Sequence, residues 1–374
     1  MKNSFTIVEI LKTLLIVAGM SVTCTACNPD VALCYGDHPH RERVVFQLQQ
    51  EDSEPMAIFL ERSRHHMFIC GAWNAVSNSF VPKRLIDPVY YSDGNLYAPT
   101  GEWRLVAAPE KYVKGALNIE KYESLQNVLD NMKIPDTELG IEYTHINKGR
   151  FRYWHDRNGY SKYYDDLGSS PILVGNGAFN VGEYAKTNDV INVPISMQPV
   201  TQEVTVNIPI SKEDDIEIDS ITAEMSGICK YVWVSTREVE TSTTYKVIFP
   251  IDKEKIDETR KPAVASGVFF ATGIVSPQSK ALITGPGILS VMVFIHFFDK
   301  GERKTRVLEA SLNMLSLIAD NPSILADDYG RVFQTADKLT YDIPVMMHLT
   351  RTKVASIGDA GLDHWVDQTQ IDVE

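Results

Sequence analysis

Three of the chain's five cysteines, Cys24, Cys27 and Cys34, fall within eleven positions of the stretch "SVTCTACNPDVALCYGDHPH". A cysteine thiolate is a strong nucleophile and a metal ligand. The cluster could therefore hold a metal, form a disulfide or accept a covalent group. His38 and His40, beside Cys34, extend the metal option. Zinc sites usually recruit two spaced ligand pairs, however, and no second pair follows downstream. Cys34, Cys70 and Cys229 make an odd, sparse set and not a disulfide framework. One bridge among them stays open, and nothing in the sequence selects it.

The residues upstream decide between these chemistries. Lys2 and Lys12 give a basic start, and an apolar run follows from Leu14 to Val22, interrupted by Gly19, Met20 and Ser21. A bilayer span needs about 20 apolar residues, so this run is too short to be one. Its basic, apolar, small-residue order is that of a secretory signal. Thr25 and Ala26 precede Cys27 and are small enough for a signal peptidase, and the segment resembles the lipobox of bacterial lipoproteins. The expectation is a signal peptide over 1–26, acylation of Cys27 as the new first residue, and a lipidated tether over 27–42. Two or more acyl chains hold a protein on a membrane where one does not. Cys24 then leaves with the signal, and Cys34 is a structural residue near the first strand. Beyond a covalent lipid at Cys27 no cofactor is expected.

Other residues of chemical interest are less convincing. "GNGAFNVG" carries Gly175 and Gly177 without the strand-turn-helix context of a dinucleotide site, and reads as a loop. His65 and His66 are adjacent at the start of a strand, where neighbours face opposite sides. Glu213, Asp214 and Asp215 could offer oxygens to calcium, which wants about six or more converging ligands; a solvated loop is the simpler reading. Between Arg150 and Pro171, Phe151, Tyr153, Trp154, Tyr160, Tyr163 and Tyr164 alternate with Arg152, Arg157 and Lys162. Such rings can stack on sugar faces, which nominates Trp154, Tyr160 and Tyr163 as glycan contacts. They can equally pin a long loop onto its own domain. No metal site and no catalytic residue is nominated, and no enzyme is expected.

The elements that must position these residues are mostly strands. Forty-nine acidic against 36 basic residues give a net charge of −13, which disfavours nucleic acid as a partner. "RVVFQLQ" alternates, "PMAIFLE" and "HHMFICGAW" are short apolar runs, and "EWRLVAA" climbs from the turn at Pro99–Gly101. A helix is predicted over 117–133, with Leu117, Tyr122, Leu125, Val128 and Leu129 on one face. The aromatic stretch after it reads as a long loop or irregular hairpin. Strands resume with "INVPISMQPV" and "TQEVTVNIPI", where Val204, Val206 and Ile208 point one way and Thr205 and Asn207 the other. "ITAEMSGICKYVWV" is expected to break at Gly227. Six or seven strands in the second half, and an apolar-spaced acidic C-terminus read as a last strand, suggest a β-sandwich. The boundary falls between residues 190 and 202, giving an N-terminal β-sandwich over 43–195 and a C-terminal one over 196–374.

Taken in order, the lipobox, "LCYGDHPH", "AIFLE", "PTGEWRLVAA", "INVPISMQPVTQEVTVNIPI" and "ITAEMSGICKYV" resemble a family within the fimbrillin superfamily. It comprises lipoproteins of Gram-negative gut and oral anaerobes, related to the anchor and stalk subunits of type V pili. The resemblance implies a mainly β fold of two transthyretin-like sandwiches in tandem, outer-membrane anchoring through Cys27 facing the cell surface, and no enzymatic activity. It further implies fimbrillin-like subunits as partners and an anchor, base or accessory role in a pilus, assembled by β-strand addition. The alternative is a solitary surface lipoprotein that binds a glycan or a neighbouring protein.

Overall fold

The computed structural model describes residues 41–48, 55–63, 67–84, 91–92, 94–113, 124–136, 140–142, 162–164, 170–182, 190–251, 256, 262–283, 285–357 and 365–369. The chain opens with β1 (Arg41–Leu48), β2 (Met56–Arg62), β3 (Met67–Asn74), β4 (Ser79–Arg84), β5 (Tyr91–Ser92), β6 (Asn95–Pro99) and β7 (Gly101–Pro109). An excursion follows: helix α1 (Leu125–Asn131) and the short strands β8 (Lys133–Ile134), β9 (Gly140–Glu142) and β10 (Lys162–Tyr164). The chain then returns with β11 (Leu173–Val181) and β12 (Val190–Pro199).

The first sheet runs β4-β3-β2-β7-β11-β12-β1-β6-β5. Its pairs are antiparallel except β1 with β12. The expected alternation of "RVVFQLQ" is present, with Val44 and Phe46 buried in β1. The sheet curls over on itself. Phe46 of β1 meets Trp73 of β3 edge to face with centroids 5.7 Å apart, although four strands separate them in the order. Apolar side chains from both arms, among them Ile58, Leu60, Trp103 and Ile195, fill the space between.

On β2 both faces are buried: Met56, Ile58 and Leu60 point into this core, while Ala57 and Phe59 point out beneath α1. That helix is shorter than predicted. It starts at Leu125 because Ser124 is extended and its hydroxyl caps the Asn127 amide at 3.1 Å, a serine N-cap. Leu125 and Val128 are buried and Leu129 packs beside them; Leu117 and Tyr122 lie outside the described residues.

One reading is corrected here. "GNGAFNVG" is not a loop but strand β11, paired with β7 and β12. Its glycines reflect close packing: a Cβ at Gly175 would collide with the side chains of Ile195 and Met197 on β12. Glycine in a strand often marks such an approach.

The second half contributes β13 (Gln202–Lys212), β14 (Glu217–Cys229), β15 (Val232–Trp233), β16 (Thr244–Ile251), β17 (Ala263–Ala271), β18 (Ile288–Asp299) and β19 (Glu302–Asn313). After helix α2 (Leu315–Asp320) come β20 (Ile324–Ala326), β21 (Val332–Gln334), β22 (Lys338–Asp342), β23 (Met346–Leu349), β24 (Val354–Ile357) and β25 (Val366–Asp367). The main sheet runs β24-β23-β13-β17-β16-β14-β18-β19-β25. Its two ends meet, because the Trp365 amide donates to Ser356 Oγ at 2.8 Å and the Val354 amide to Asp367 Oδ1 at 3.0 Å. The C-terminal strand expected from the sequence is thus the short β25, laid along β19.

Val204, Val206 and Ile208 of β13 are buried, whereas Thr205 and Asn207 are half-exposed, as their alternation requires. The expected break at Gly227 is instead a bulge. β14 continues through it with a register shift between Ser226 and Ile228, and Gly227 has φ 84°. A left-handed residue pressed against the Val275 carbonyl and the Gly287 amide suits glycine alone. Sheet membership changes between Pro199 and Gln202. The fold is mainly β, with sheets wrapped into sandwich- or barrel-like layers.

Candidate functional site

Cys27, Cys34, His38, His40, His65, His66, Trp154 and Tyr160 lie outside the described residues. The backbone of Tyr163 lies in β10, which pairs antiparallel with β9; apart from β10, the aromatic stretch up to Ser169 lies outside the described residues. The acidic loop does not converge on a point. Asp215 forms an ion pair with Arg351, and Glu213 accepts a hydrogen bond from the Arg351 backbone amide at 3.2 Å. Among the described residues no cluster of histidine, cysteine and carboxylate groups could hold a metal, and no helix is long and apolar enough to cross a membrane. Cys70 and Cys229 are buried thiols. Burial pushes the Cys229 thiol up to about 12, far from a reactive thiolate.

What the structure assembles instead is a seam in the second sheet. β16 pairs with β14 along its length, but on its other side it meets β17 only at Ile251 and Gly267. On the core side of the split, the rings of Phe249 and Phe269 pack 4.6 Å apart. Gly267 makes room for them, since a Cβ there would stand 2.8 Å from the Phe249 ring. Away from that single contact the edge of β16 takes a strand from elsewhere in the chain. β10 lies parallel to it, with Tyr163 opposite Lys246 and Tyr164 opposite Val247. Across the split, no strand pairs the second edge of β17 over Val268–Ala271 among the described residues. The seam is therefore a place where this sheet accepts an added strand, main chain to main chain.

Beside the seam lies a feature that sequence reasoning missed. Lys246 of β16 and Glu224 of β14 form an ion pair at 2.6 Å with side chains 0 % and 1 % exposed. Glu224 is opposite Ser290, and Ser290 is opposite Ser311 with the two hydroxyls 2.9 Å apart. A buried polar row thus crosses β16, β14, β18 and β19. The signal available in the sequence was a lone lysine inside the apolar run "TYKVIFPI". Charged residues are almost never fully buried unless paired, so the lysine in that run implied an acid nearby.

No family model matches the chain, and no curated protein matches it. Solved structures do. A candidate adhesin from Bacteroides ovatus is 7 % identical, with 82 % of this chain and 93 % of that one covered and a TM-score of 0.32. A candidate cell-adhesion protein from Bacteroides eggerthii is 11 % identical, with coverages of 84 % and 88 % and a TM-score of 0.31. The fimbrial anchor protein Mfa2 from Porphyromonas gingivalis is 10 % identical, with coverages of 83 % and 91 % and a TM-score of 0.25. At such scores the likeness carries no argument about function, and what these proteins do stays with them.

Proposed function

We propose that the chain is a non-enzymatic cell-surface protein acting as an anchor, base or accessory subunit of a fimbria, assembled by β-strand addition. The observation that supports this reading best is the seam, where β10 already adds in parallel to β16. An edge that accepts a strand from a distant part of its own chain has the backbone geometry that a neighbour's strand needs. Register would be set by which side chains the added strand sends into the core. In this reading residues 1–26 are removed, Cys27 carries lipid on the outer membrane, and the segment from Cys27 to the start of β1 is the tether. The two β units, which part between Pro199 and Gln202, then face fimbrillin-like partners.

The test is shearing of surface material, followed by gels run with and without boiling and mass spectrometry of the bands. A heat-labile ladder containing this chain and fimbrillin-like subunits is the expected result. A membrane-bound monomer without partners would overturn assembly and leave the solitary lipoprotein, with the aromatic segment around Trp154, Tyr160 and Tyr163 as its glycan surface. The anchor is tested separately. Labelling with a palmitate analogue should be lost in Cys27→Ala and kept in Cys24→Ala.

A further inference from the structure

Two β units joined by one linker move relative to each other by default unless their interface is extensive. This linker is built against movement. Val200, Thr201 and Gln202 are 3 %, 2 % and 1 % exposed. On the side of the first sheet, the Val200 amide donates to the Ile172 carbonyl at 2.9 Å, and the Ile172 amide to Thr201 Oγ1 at 3.0 Å. On the side of the second sheet, three long side chains reach in. Arg237 donates to the Pro199 carbonyl at 2.8 Å. Gln334 Nε2 bridges the Val200 carbonyl at 3.1 Å and the Thr272 carbonyl at 2.8 Å. Gln202 Nε2 donates to the Ser323 carbonyl at 3.0 Å and the Ala336 carbonyl at 2.7 Å, while its Oε1 accepts from Ser323 Oγ.

Two more ties join the halves away from the linker. β8 pairs with β15, Ile134 opposite Val232 and Lys133 opposite Trp233, and the Val234 amide donates to the Met132 carbonyl at 3.0 Å. The Lys133 ammonium sits 4.6 Å from the Tyr231 ring centre and 5.2 Å from that of Trp233, a cation–π clasp between the two. The third tie is β10 on β16. A continuous set of buried side chains runs from Phe59 and Val128 across to Val232 and Ile274.

We propose that the two halves form one mechanical body, in which residues 199–202 are a locked joint and not a hinge. A pull between the N-terminal end and the second sheet is then transmitted through the joint without bending. Rotation would have to strip partly buried carbonyls and the buried Gln202 side chain of their partners all at once. Gln202, Gln334 and Arg237 are the positioning residues. The inference holds whether the pull comes from a fibre or from a single bound ligand, so it does not depend on pilus assembly.

Hydrogen exchange and calorimetry of the full-length protein test it. The wild type should unfold in a single transition, with the Val200 amide exchanging no faster than amides at the centres of β2 and β18. In Gln334→Ala and in Gln202→Ala, exchange at Val200 should accelerate at least ~10-fold while the centres of those strands stay unchanged, about 1.4 kcal/mol of local opening. Arg237→Ala, at the surface end of the joint, should give a smaller acceleration at the same amide, and it keeps the test usable if Gln202→Ala does not fold. Two separable transitions in the wild type, or wild-type exchange at Val200 in both folded Gln334→Ala and folded Arg237→Ala, would overturn the locked joint.

Discussion

The joint at 199–202 and the seam between β16 and β17 are built on opposite plans within one molecule. At the joint side chains tie backbone from several elements together: Gln334 covers two carbonyls, Gln202 two more, and the Thr201 hydroxyl an amide. At the seam two strands of one sheet share a single backbone pair, and part of the remaining β16 edge is paired with β10, a strand from much earlier in the chain. The residue types explain the contrast. Long amides with several donors and acceptors tie irregular backbone, whereas at the seam Gly267 leaves room for the Phe249 ring and the Ile251 side chain of the neighbouring strand.

The sharpest way to break this contrast is at the seam strand itself. Lys246→Met leaves Glu224 buried without its counter-charge and should cost about 3–5 kcal/mol in denaturant unfolding. The double variant Lys246→Met/Glu224→Leu removes both charges and should recover most of the loss. If the single change costs under ~1 kcal/mol, β16 is held by packing alone and the polar row beside the seam has no structural part.

Next comes the joint. Gln202→Ala removes three hydrogen bonds, two of them buried and one partly buried, so a loss of about 2–3 kcal/mol is expected from the orphaned groups on Ser323 and Ala336. A loss equal to that at Lys246 would make the joint as costly to breach as the core. A loss near zero would mean that the loop after α2 relaxes and the joint is softer than its geometry.

Alkaline pH separates the two places further. Cys229 lies at the bulged end of β14, and burial raises its thiol from 9.0 to about 12. The unfolded chain therefore loses this proton first, so the contribution to stability is complete below pH 9 and is lost as pH rises toward 12. Between pH 9 and pH 10 the loss is about 1 kcal/mol, and Cys229→Ala should flatten that limb of the curve. Native protein at pH 8 should leave the thiol unreactive toward a disulfide reagent until it is unfolded.

How much of this was legible in the sequence depends on whether the determinants are local. β13 was readable because Val204, Val206 and Ile208 alternate with Thr205 and Asn207 within one strand. The mainly β class followed from many such runs. β11 was hidden because Gly175 and Gly177 look like turn residues until Ile195 and Met197 are seen lying over the first and Leu105 and the Pro194 carbonyl over the second. Gly227 looked like a break because a bulge and a break use the same residue. Non-local features gave no periodic sign at all. Gln202 meets Ser323 across 121 residues, and β10 meets β16 only after the chain has laid down β11 to β15 in between. Of the nominated contacts, Cys27, Trp154 and Tyr160 lie outside the described residues, and their tests are chemical.

The smallest effect is expected where a pair links strands with nothing buried. Lys338 of β22 reaches Glu203 of β13 at 3.0 Å, with side chains 76 % and 36 % exposed. Water and salt screen such a pair, and holding two long side chains costs entropy. Lys338→Ala should therefore change stability by no more than ~0.5 kcal/mol, and less in 0.5 M salt than at low salt. The same two strands are joined by parallel backbone pairing from Glu203–Lys338 to Asn207–Asp342, with Leu339 and Tyr341 buried beneath. Backbone and apolar contacts should hold β22 in place without the ion pair. A loss above ~1 kcal/mol would show instead that the approach to the joint, which lies immediately upstream at Gln202, depends on surface charge.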